Sequence, residues 1–217
     1  MKTLVLVTQK GGSGKSSLAA SLAVAAEEAG ERVFMLDLDR QGTLANWINR
    51  RPAETPGFDR VSSEAELNHA LATLADQKFT LTIIDTPGSD NVLVTAAIRV
   101  ADICLIPTRP TPADLEATQP TLEAIQATRR KFAFVLNQTP VRSSRLTEAA
   151  AGLRMLGVLA EPSISQRNDH QDAIGAGQGV TEFSPTGKAA DEIRALWRWL
   201  KDKLKGQIYD DQTRLAG

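Results

Sequence analysis

Residues 9–17 have the sequence Gln-Lys-Gly-Gly-Ser-Gly-Lys-Ser-Ser, and they separate an apolar run at 4–7 from an alanine-rich segment at 18–28. This order predicts a strand, a glycine loop and a helix. Glycines let successive backbone N–H groups point into one concavity, and the helix adds its unpaired N-terminal donors and the positive end of its dipole. The loop therefore suits a polyphosphate, with Lys15 bridging the terminal phosphates and the Ser16 hydroxyl bound to Mg2+.

The loop departs from the ordinary phosphate-loop pattern at one position, because Gln9 stands where a glycine is expected five residues before Gly14. A second lysine, Lys10, lies at the mouth of the loop, although Lys15 already supplies charge neutralisation for one nucleotide. This variant resembles the deviant Walker A motif of the ParA/MinD group of ATPases. The resemblance implies that Lys10 reaches across a dimer interface to the partner's ATP.

Strands and helices alternate along the chain, and the predicted strands are continuous apolar runs. Both features predict an α/β fold with a doubly wound, mostly parallel sheet covered by helices on both faces, and the resemblance implies a P-loop NTPase fold. The predicted strands are 4–7, 31–39, 79–84, 103–107 and 132–137, with further candidates at 58–61 and 157–164. The predicted helices are 18–28, a short helix holding Trp47, 63–74, 92–100, 115–130, 146–156 and 188–205, with a kink or restart at Pro120.

The bulk properties limit the class of protein. We expect one ATPase domain over residues 1–205, followed by a flexible polar tail at 206–217. The single cysteine, Cys104, excludes a disulfide within the chain and fits a reducing cytosol. A net charge of -1 means that any nucleic-acid binding must come from local clustering of basic residues. The sequence has no apolar run near the ~20 residues of a membrane span, so none is expected.

Three aspartates lie at the ends of predicted strands: Asp37, Asp39 and Asp85. The carboxyl ends of parallel strands meet at one sheet edge, so these acids should lie beside the glycine loop, where Mg2+ and an attacking water are held. Residues 85–88, Asp-Thr-Pro-Gly, resemble a Walker B aspartate motif, and residues 37–42 are similar to the DxDPQG stretch of ParA proteins. Arg40 replaces the usual proline there, so the resemblance does not guarantee a rigid loop.

The resemblance implies a role for each site residue. The catalytic residues are Lys10, Lys15 and Asp39, with Asp39 orienting the hydrolytic water. Ser16, Asp37 and Asp85 bind or support Mg2+. Asn137, at the end of the strand 132–137, is similar to the family's base-contacting asparagine, since an amide both donates to and accepts from an adenine edge. The predicted nucleotide-binding residues are Gly11, Gly12, Ser13, Gly14, Lys15, Ser16, Ser17 and Asn137.

Basic residues cluster in the second half of the chain. No acidic residue lies between Glu123 and Glu148, whereas five basic residues do. Together with the basic last helix they could form one surface for DNA phosphates, although each residue alone fits an ordinary solvated face equally well. The predicted DNA-contacting residues are Arg142, Arg145, Arg167, Lys188, Arg194 and Arg198.

The resemblance to ParA proteins implies a Mg2+-dependent ATPase that forms a homodimer on binding ATP and binds DNA non-specifically. It would partition a plasmid or chromosome, or position another cargo, and a ParB-like or cargo adaptor protein would stimulate hydrolysis. We expect it in the cytoplasm, associated with the nucleoid and not with a membrane. Residues 101–115 resemble a stretch that small ParA proteins place near the dimer face.

Two alternatives remain open. A MinD-like positioning ATPase would attach to a membrane through the apolar stripe of the last helix, Ile193, Trp197, Leu200 and Leu204, although docking on the sheet needs the same stripe. An ATP-dependent synthetase of this fold has little room for a substrate domain in 217 residues. His69 and His170 are expected to be solvated or structural.

Overall fold

The computed structural model describes residues 1–89, 91–141 and 144–206, with Ser144 described for its backbone only. Its centre is a six-stranded sheet of order β3-β2-β4-β1-β5-β6, and every strand pairing is parallel. The strands are β1 (Lys2–Leu6), β2 (Val33–Asp37), β3 (Gly57–Arg60), β4 (Leu81–Asp85), β5 (Ile103–Thr108) and β6 (Phe132–Leu136). The order reverses at β1, which confirms the predicted doubly wound fold and places its switch point beside the glycine loop.

Helices cover both faces of this sheet. They are α1 (Lys15–Glu28), α2 (Thr43–Arg50), α3 (Glu64–Asp76), α4 (Val92–Val100), α5 (Pro112–Glu116), α6 (Gln119–Thr128), α7 (Ser144–Leu156), α8 (Asn168–Gly175), α9 (Val180–Phe183) and α10 (Lys188–Leu204). Leu4 and Leu6 of β1 pack into one apolar cluster with α1 and α10, whereas Val5 belongs to the opposite cluster with α3, α4, α6 and α7. Burial on both faces explains why the strands are continuous apolar runs.

The predicted helix at 115–130 forms two helices, α5 and α6, as the proline at position 120 indicates. Pro120 lies in the first turn of α6, where its missing N–H costs no helical hydrogen bond. Thr111 caps α5 by accepting a hydrogen bond from the Asp114 N–H. Helices α8 and α9 were not predicted, because each is short and its apolar residues show little periodicity.

The strand candidate at 157–164 is wrong, whereas the candidate at 58–61 corresponds to β3. Residues 157–164 run beside β6 and form an isolated bridge there, Phe134 to Leu159, and a second bridge, Thr139 to Ser165, lies just beyond both segments. The Ala160 N–H donates to the Phe134 carbonyl and the Ile164 N–H donates to the Leu136 carbonyl, and Pro162 lies between these two hydrogen bonds. Proline has no N–H to donate to a ladder, so continuous pairing is lost there.

The apolar stripe of α10 is part of the core. Ile193, Trp197, Leu200 and Leu204 are all buried, in the cluster that also contains α1. The sequence allowed this stripe either to attach to a membrane or to dock on the sheet, and in the structure it docks on the sheet. Among the described residues, no helix combines the length and apolar character that crossing a bilayer requires. The predicted tail lies outside the described residues apart from Gly206.

Replacing Leu200 with alanine tests the docking of α10. Leu200 is fully buried, so Leu200→Ala should lower the free energy of unfolding by about 2–5 kcal/mol through lost burial and a residual cavity. Asp202→Ala on the exposed side of the same helix is the matched control, with an expected change within about 0.5 kcal/mol. Urea unfolding measures both, and equal stabilities for the two variants would mean that α10 does not dock.

Candidate nucleotide-binding site

The glycine loop joins β1 to α1 and depends on backbone conformations that favour glycine. Gly12 and Gly14 have φ angles of 75° and 86°, in the left-handed region. Gly14 is the N-cap of α1 and provides no side-chain cap, which leaves the first N–H groups of the helix available to a ligand. A Cβ atom on Gly14 would also lie 2.5 Å from the Asn137 side-chain nitrogen, so this position has room only for glycine.

Two amide side chains tie this loop to the end of β6. Asn137 Nδ2 donates to the Ser13 carbonyl at 2.7 Å, and Gln138 Nε2 donates to the Gly12 carbonyl at 3.2 Å. Asn137 is buried, so its amide forms a fixed support for the loop. The base contact predicted for Asn137 stays a prediction. Gln138 was not predicted, and its only signal in the sequence is its position next to Asn137.

Asp37 and Asp85 end neighbouring strands and lie opposite each other in the pairing of β2 with β4. Both are buried, and the Ser16 Oγ of the loop donates to Asp85 Oδ2 at 2.5 Å. Burial raises the pKa of Asp85 to about 7, and burial also raises the pKa of Asp37. The structure thus brings together the three predicted magnesium residues.

These residues fit a magnesium ion. Asp37 Oδ2 and Asp85 Oδ1 are buried and have no hydrogen-bond partner. Buried carboxylate oxygens without a partner are costly, and a hard cation that prefers oxygen ligands would satisfy them. Ser13 Oγ is a third buried oxygen of this region without a hydrogen-bond partner, and it lies in the loop. The site therefore has unsatisfied groups for both a cation and a phosphate.

Lys15 lies at the centre of the same site. Its side chain is buried, and Nζ donates to the Thr8 carbonyl at 3.4 Å. Burial lowers the pKa of Lys15, while the nearby charges of Asp85 and Asp39 oppose that shift. A buried ammonium held by one weak hydrogen bond is well placed to pair with an anionic ligand.

A cleft of about 570 Å³ opens above the loop. Residues 11–17 form its floor, and Asp39, Gln41 and Thr43 lie on one side. Residues 87–89 lie on the other, where a Cβ atom on Gly88 would lie 3.3 Å from the Gly11 nitrogen. Asp39 is half-buried, and its Oδ1 accepts from the Gln41 N–H at 2.9 Å. The predicted water-orienting carboxylate therefore lines the cleft that the phosphate loop forms.

Lys10 forms an ion pair with a buried carboxylate. Its Nζ lies 3.7 Å from Asp114 Oδ2, and Arg109 Nε donates to the other oxygen of Asp114 at 3.0 Å. Burial would raise the pKa of Asp114, but hydrogen bonds from Thr111 and Arg109 outweigh it and hold that pKa below its ordinary value. Asp114 lies in the stretch 101–115, which resembles a stretch that small ParA proteins place near the dimer face.

A second, smaller cavity of about 180 Å³ adjoins the loop at Gly14 and Ser17. Asn137, Arg167 and His170 are among the residues that line it. His170 is half-buried with an unpartnered Nε2, and burial lowers its pKa. His69, in contrast, is exposed on α3. The expectation that His170 is merely solvated or structural did not anticipate this cavity.

The residues predicted to contact DNA differ in their exposure to solvent and in their ion pairing within the chain. Arg167 is bonded to Glu192 at 2.7 Å, and Arg194 to Glu28 at 3.3 Å, so both are already paired within the chain. Lys188 and Arg198 are exposed on α10. Arg145 is exposed on α7 and also has an interaction within the chain. Arg142 lies outside the described residues.

Comparison with known proteins agrees with this geometry. The family model "CobQ/CobB/MinD/ParA nucleotide binding domain" matches residues 4–180. The "maintenance of carboxysome distribution protein A" of Halothiobacillus neapolitanus is 30% identical over 206 residues, covering 89% of this chain and 94% of the relative.

Two solved structures share the fold. Apo McdA from Cyanothece has a TM-score of 0.77 at 18% identity, covering 94% of this chain and 99% of that one. Cobyrinic acid a,c-diamide synthase from Mycobacterium smegmatis, with an ATP analogue and magnesium, has a TM-score of 0.77 at 20% identity, covering 96% and 97%. The ligands of that synthase agree with the predicted ATP and Mg2+.

The comparisons confirm the resemblance that the glycine loop indicated. The matched residues, 4–180, contain the loop, all three strand-end aspartates and Asn137. The chain therefore belongs to the CobQ/CobB/MinD/ParA nucleotide-binding domain family, within the ParA/MinD-like ATPases.

Proposed function

We propose that this protein is a Mg2+-dependent ATPase that dimerises on ATP, binds DNA non-specifically and positions a cargo. One observation carries the nucleotide part of the proposal: the Ser16 hydroxyl donates to the buried Asp85, the buried Lys15 lies near Asp85, and Asp85 pairs with Asp37, the two carboxylates each having an unpartnered oxygen. Such a site needs both an anion and a cation, and a magnesium nucleotide provides both. The carboxysome-distribution relative supports cargo positioning as the class of function. Plasmid or chromosome partition is the same mechanism with DNA as the cargo.

The phosphates of the nucleotide bind in the cleft, and its base binds in the smaller cavity. The backbone N–H groups of residues 11–17 bind the phosphates, and Lys15 neutralises the terminal ones. The base enters the cavity that Asn137 and His170 line. Ser16 and Asp85 would hold Mg2+, with Asp37 in support, and the bound ion would neutralise charge on the transferred phosphoryl group. Asp39, on the side of the cleft, orients the attacking water.

The dimer forms through the surface at the carboxyl ends of the strands, where the nucleotide binds. Lys10 lies at the mouth of the loop, and its side chain is partly exposed. Its ion pair with Asp114 is long, at 3.7 Å. Arg109 and Thr111 also bind Asp114, so this carboxylate stays paired when Lys10 moves to a phosphate, which carries more charge. In the dimer, Lys10 of each subunit leaves Asp114 and contacts the partner's phosphates. An adaptor protein then accelerates the slow hydrolysis that ends the cycle.

Lys10→Ala tests the cross-dimer contact. The variant should retain ATP binding, because Lys15 and the loop are intact, but lose hydrolysis by about a hundredfold, as expected when a charge that stabilises the transition state is removed. Lys2→Ala is the matched control. Lys2 also pairs with an aspartate, Asp102, at 3.2 Å, but at the amino end of the strands, away from the glycine loop. ATP affinity and steady-state phosphate release measure the two effects. Wild-type turnover in Lys10→Ala would exclude the cross-dimer role.

Binding to random-sequence duplex DNA tests the DNA interaction. Tight binding is expected with ATP and not with ADP or without nucleotide, and it should weaken steeply as salt is raised, since phosphate contacts release counterions. Lys188→Ala with Arg198→Ala removes two exposed charges and should reduce the salt slope by about 2 if both contact phosphates. No binding in any nucleotide state would contradict the proposal and favour the MinD-like or synthetase alternatives.

The raised pKa of Asp85 gives a pH test of the magnesium site. Its pKa rises from 3.8 to about 7 on folding, so the folded protein binds the proton more tightly. The free energy of unfolding of the metal-free protein therefore falls as pH rises toward 7, and Asp85→Asn removes this dependence. Between about pH 5 and about pH 8, the stability of the variant relative to wild type should increase by about 3 kcal/mol. Urea unfolding in EDTA measures it, and parallel pH profiles would show that Asp85 is ionised without metal.

A further inference from the structure

The chain around Asp39 forms a β-turn at the edge of the phosphate cleft. The Gly42 N–H donates to the Asp39 carbonyl at 3.1 Å, which closes a turn over residues 39–42. Arg40 occupies the second position of this turn, where proline is favoured because its ring presets φ. The turn lacks that constraint, and both Arg40 and Gln41 are exposed. Another contact must therefore hold the backbone conformation of the turn 39–42.

The turn determines where the Asp39 carboxylate points. The Asp39 N–H donates to Asp37 Oδ1 at 2.8 Å, and Asp39 Oδ1 accepts from the Gln41 N–H at 2.9 Å. The carboxylate is thus anchored at one oxygen by the backbone of its own turn. If the turn opens, the bond from Gln41 is lost and the carboxylate is free to rotate. An error of about 1 Å in such a group is enough to slow a reaction about a hundredfold.

Arg60 supplies the missing constraint from the neighbouring strand. It ends β3, where the parallel pairing places it opposite Asp37, the last residue of β2. Its Nη2 donates to the Asp39 carbonyl at 3.1 Å and to the Arg40 carbonyl at 3.3 Å. One guanidinium nitrogen therefore bridges the first two carbonyls of the turn. The strand itself is fixed here, because the Val61 N–H donates to the Asp37 carbonyl at 3.0 Å.

We infer that Arg60 is a positioning residue that holds the turn 39–42, and with it the Asp39 carboxylate, in the conformation that hydrolysis requires. Arg60 replaces, by hydrogen bonds from β3, the rigidity that a proline at position 40 would give. The inference rests on the proposed role of Asp39 in ATP hydrolysis. It adds the edge strand β3 to the elements that control the site.

Arg60→Ala is the primary test. The kcat for ATP hydrolysis should fall about tenfold while KM and ATP affinity change less than about twofold, because the turn acts on the water and not on the phosphates. Arg32→Ala is the matched control. Arg32 is equally exposed and its Nη1 donates to two successive carbonyls, Gln77 and Lys78, at 2.8 and 3.1 Å, but at the other end of the sheet. Its kcat should equal that of the wild type.

Arg40→Pro in the Arg60→Ala background tests the mechanism directly. If Arg60 acts by fixing the turn, a proline at its second position should restore most of the lost kcat without restoring any charge. If Arg60 acts through its charge or by contact with substrate, the proline should restore nothing, and the inference is then overturned. An equal loss of kcat in Arg32→Ala would overturn it as well.

Amide hydrogen exchange separates this inference from the proposed function. In the nucleotide-free protein, exchange of the Gln41 and Gly42 N–H groups should be about tenfold faster in Arg60→Ala and return toward the wild-type rate with Arg40→Pro. This readout does not need ATPase activity. An inactive wild type would contradict the proposed function while the exchange rates still report on the turn. Unchanged exchange in Arg60→Ala would overturn the inference even in an active enzyme.

Discussion

Two carboxylates buried side by side at the ends of β2 and β4 set the conditions for the whole site. Asp37 and Asp85 are almost fully buried, and each has an oxygen without a hydrogen-bond partner. Burial disfavours their charged forms, and the parallel register keeps the two groups adjacent. The fold tolerates this because the loop supplies Ser16 and Lys15 at the same place. The site is therefore complete only when a cation and an anion join it, which couples binding of a magnesium nucleotide to local stability.

The geometry of this site is maintained from the outer strands of the sheet. Asn137 and Gln138, after the edge strand β6, hold the carbonyls of Ser13 and Gly12. Arg60, at the end of the opposite edge strand β3, holds the turn that contains Asp39. Each half of the cleft thus depends on a strand that is remote from β1.

Charge is distributed so that some basic residues serve the fold and others face solvent. Arg167 and Arg194 pair with glutamates of the same chain, which fixes the segment before α8 and the end of α1 to α10. Lys10 occupies an intermediate position, since it is paired with Asp114 and yet partly exposed. Counting basic residues in the sequence treats all of them alike. Exposed residues such as Lys188 and Arg198 contribute to an electrostatic surface, whereas Arg167 and Arg194 would first have to leave their glutamate partners.

The sequence by itself determined the glycine loop, the strand-end aspartates and the parallel sheet, because each depends on local spacing and on burial of both sheet faces. It did not determine the contacts of Asn137 and Gln138 with the loop or of Arg60 with the turn of Asp39, which join residues far apart in the chain. It also gave a false strand at 157–164, where apolar character continues but Pro162 cannot donate. Apolar periodicity reports burial but not strand order, so only the tertiary structure decided which side chains meet at the cleft.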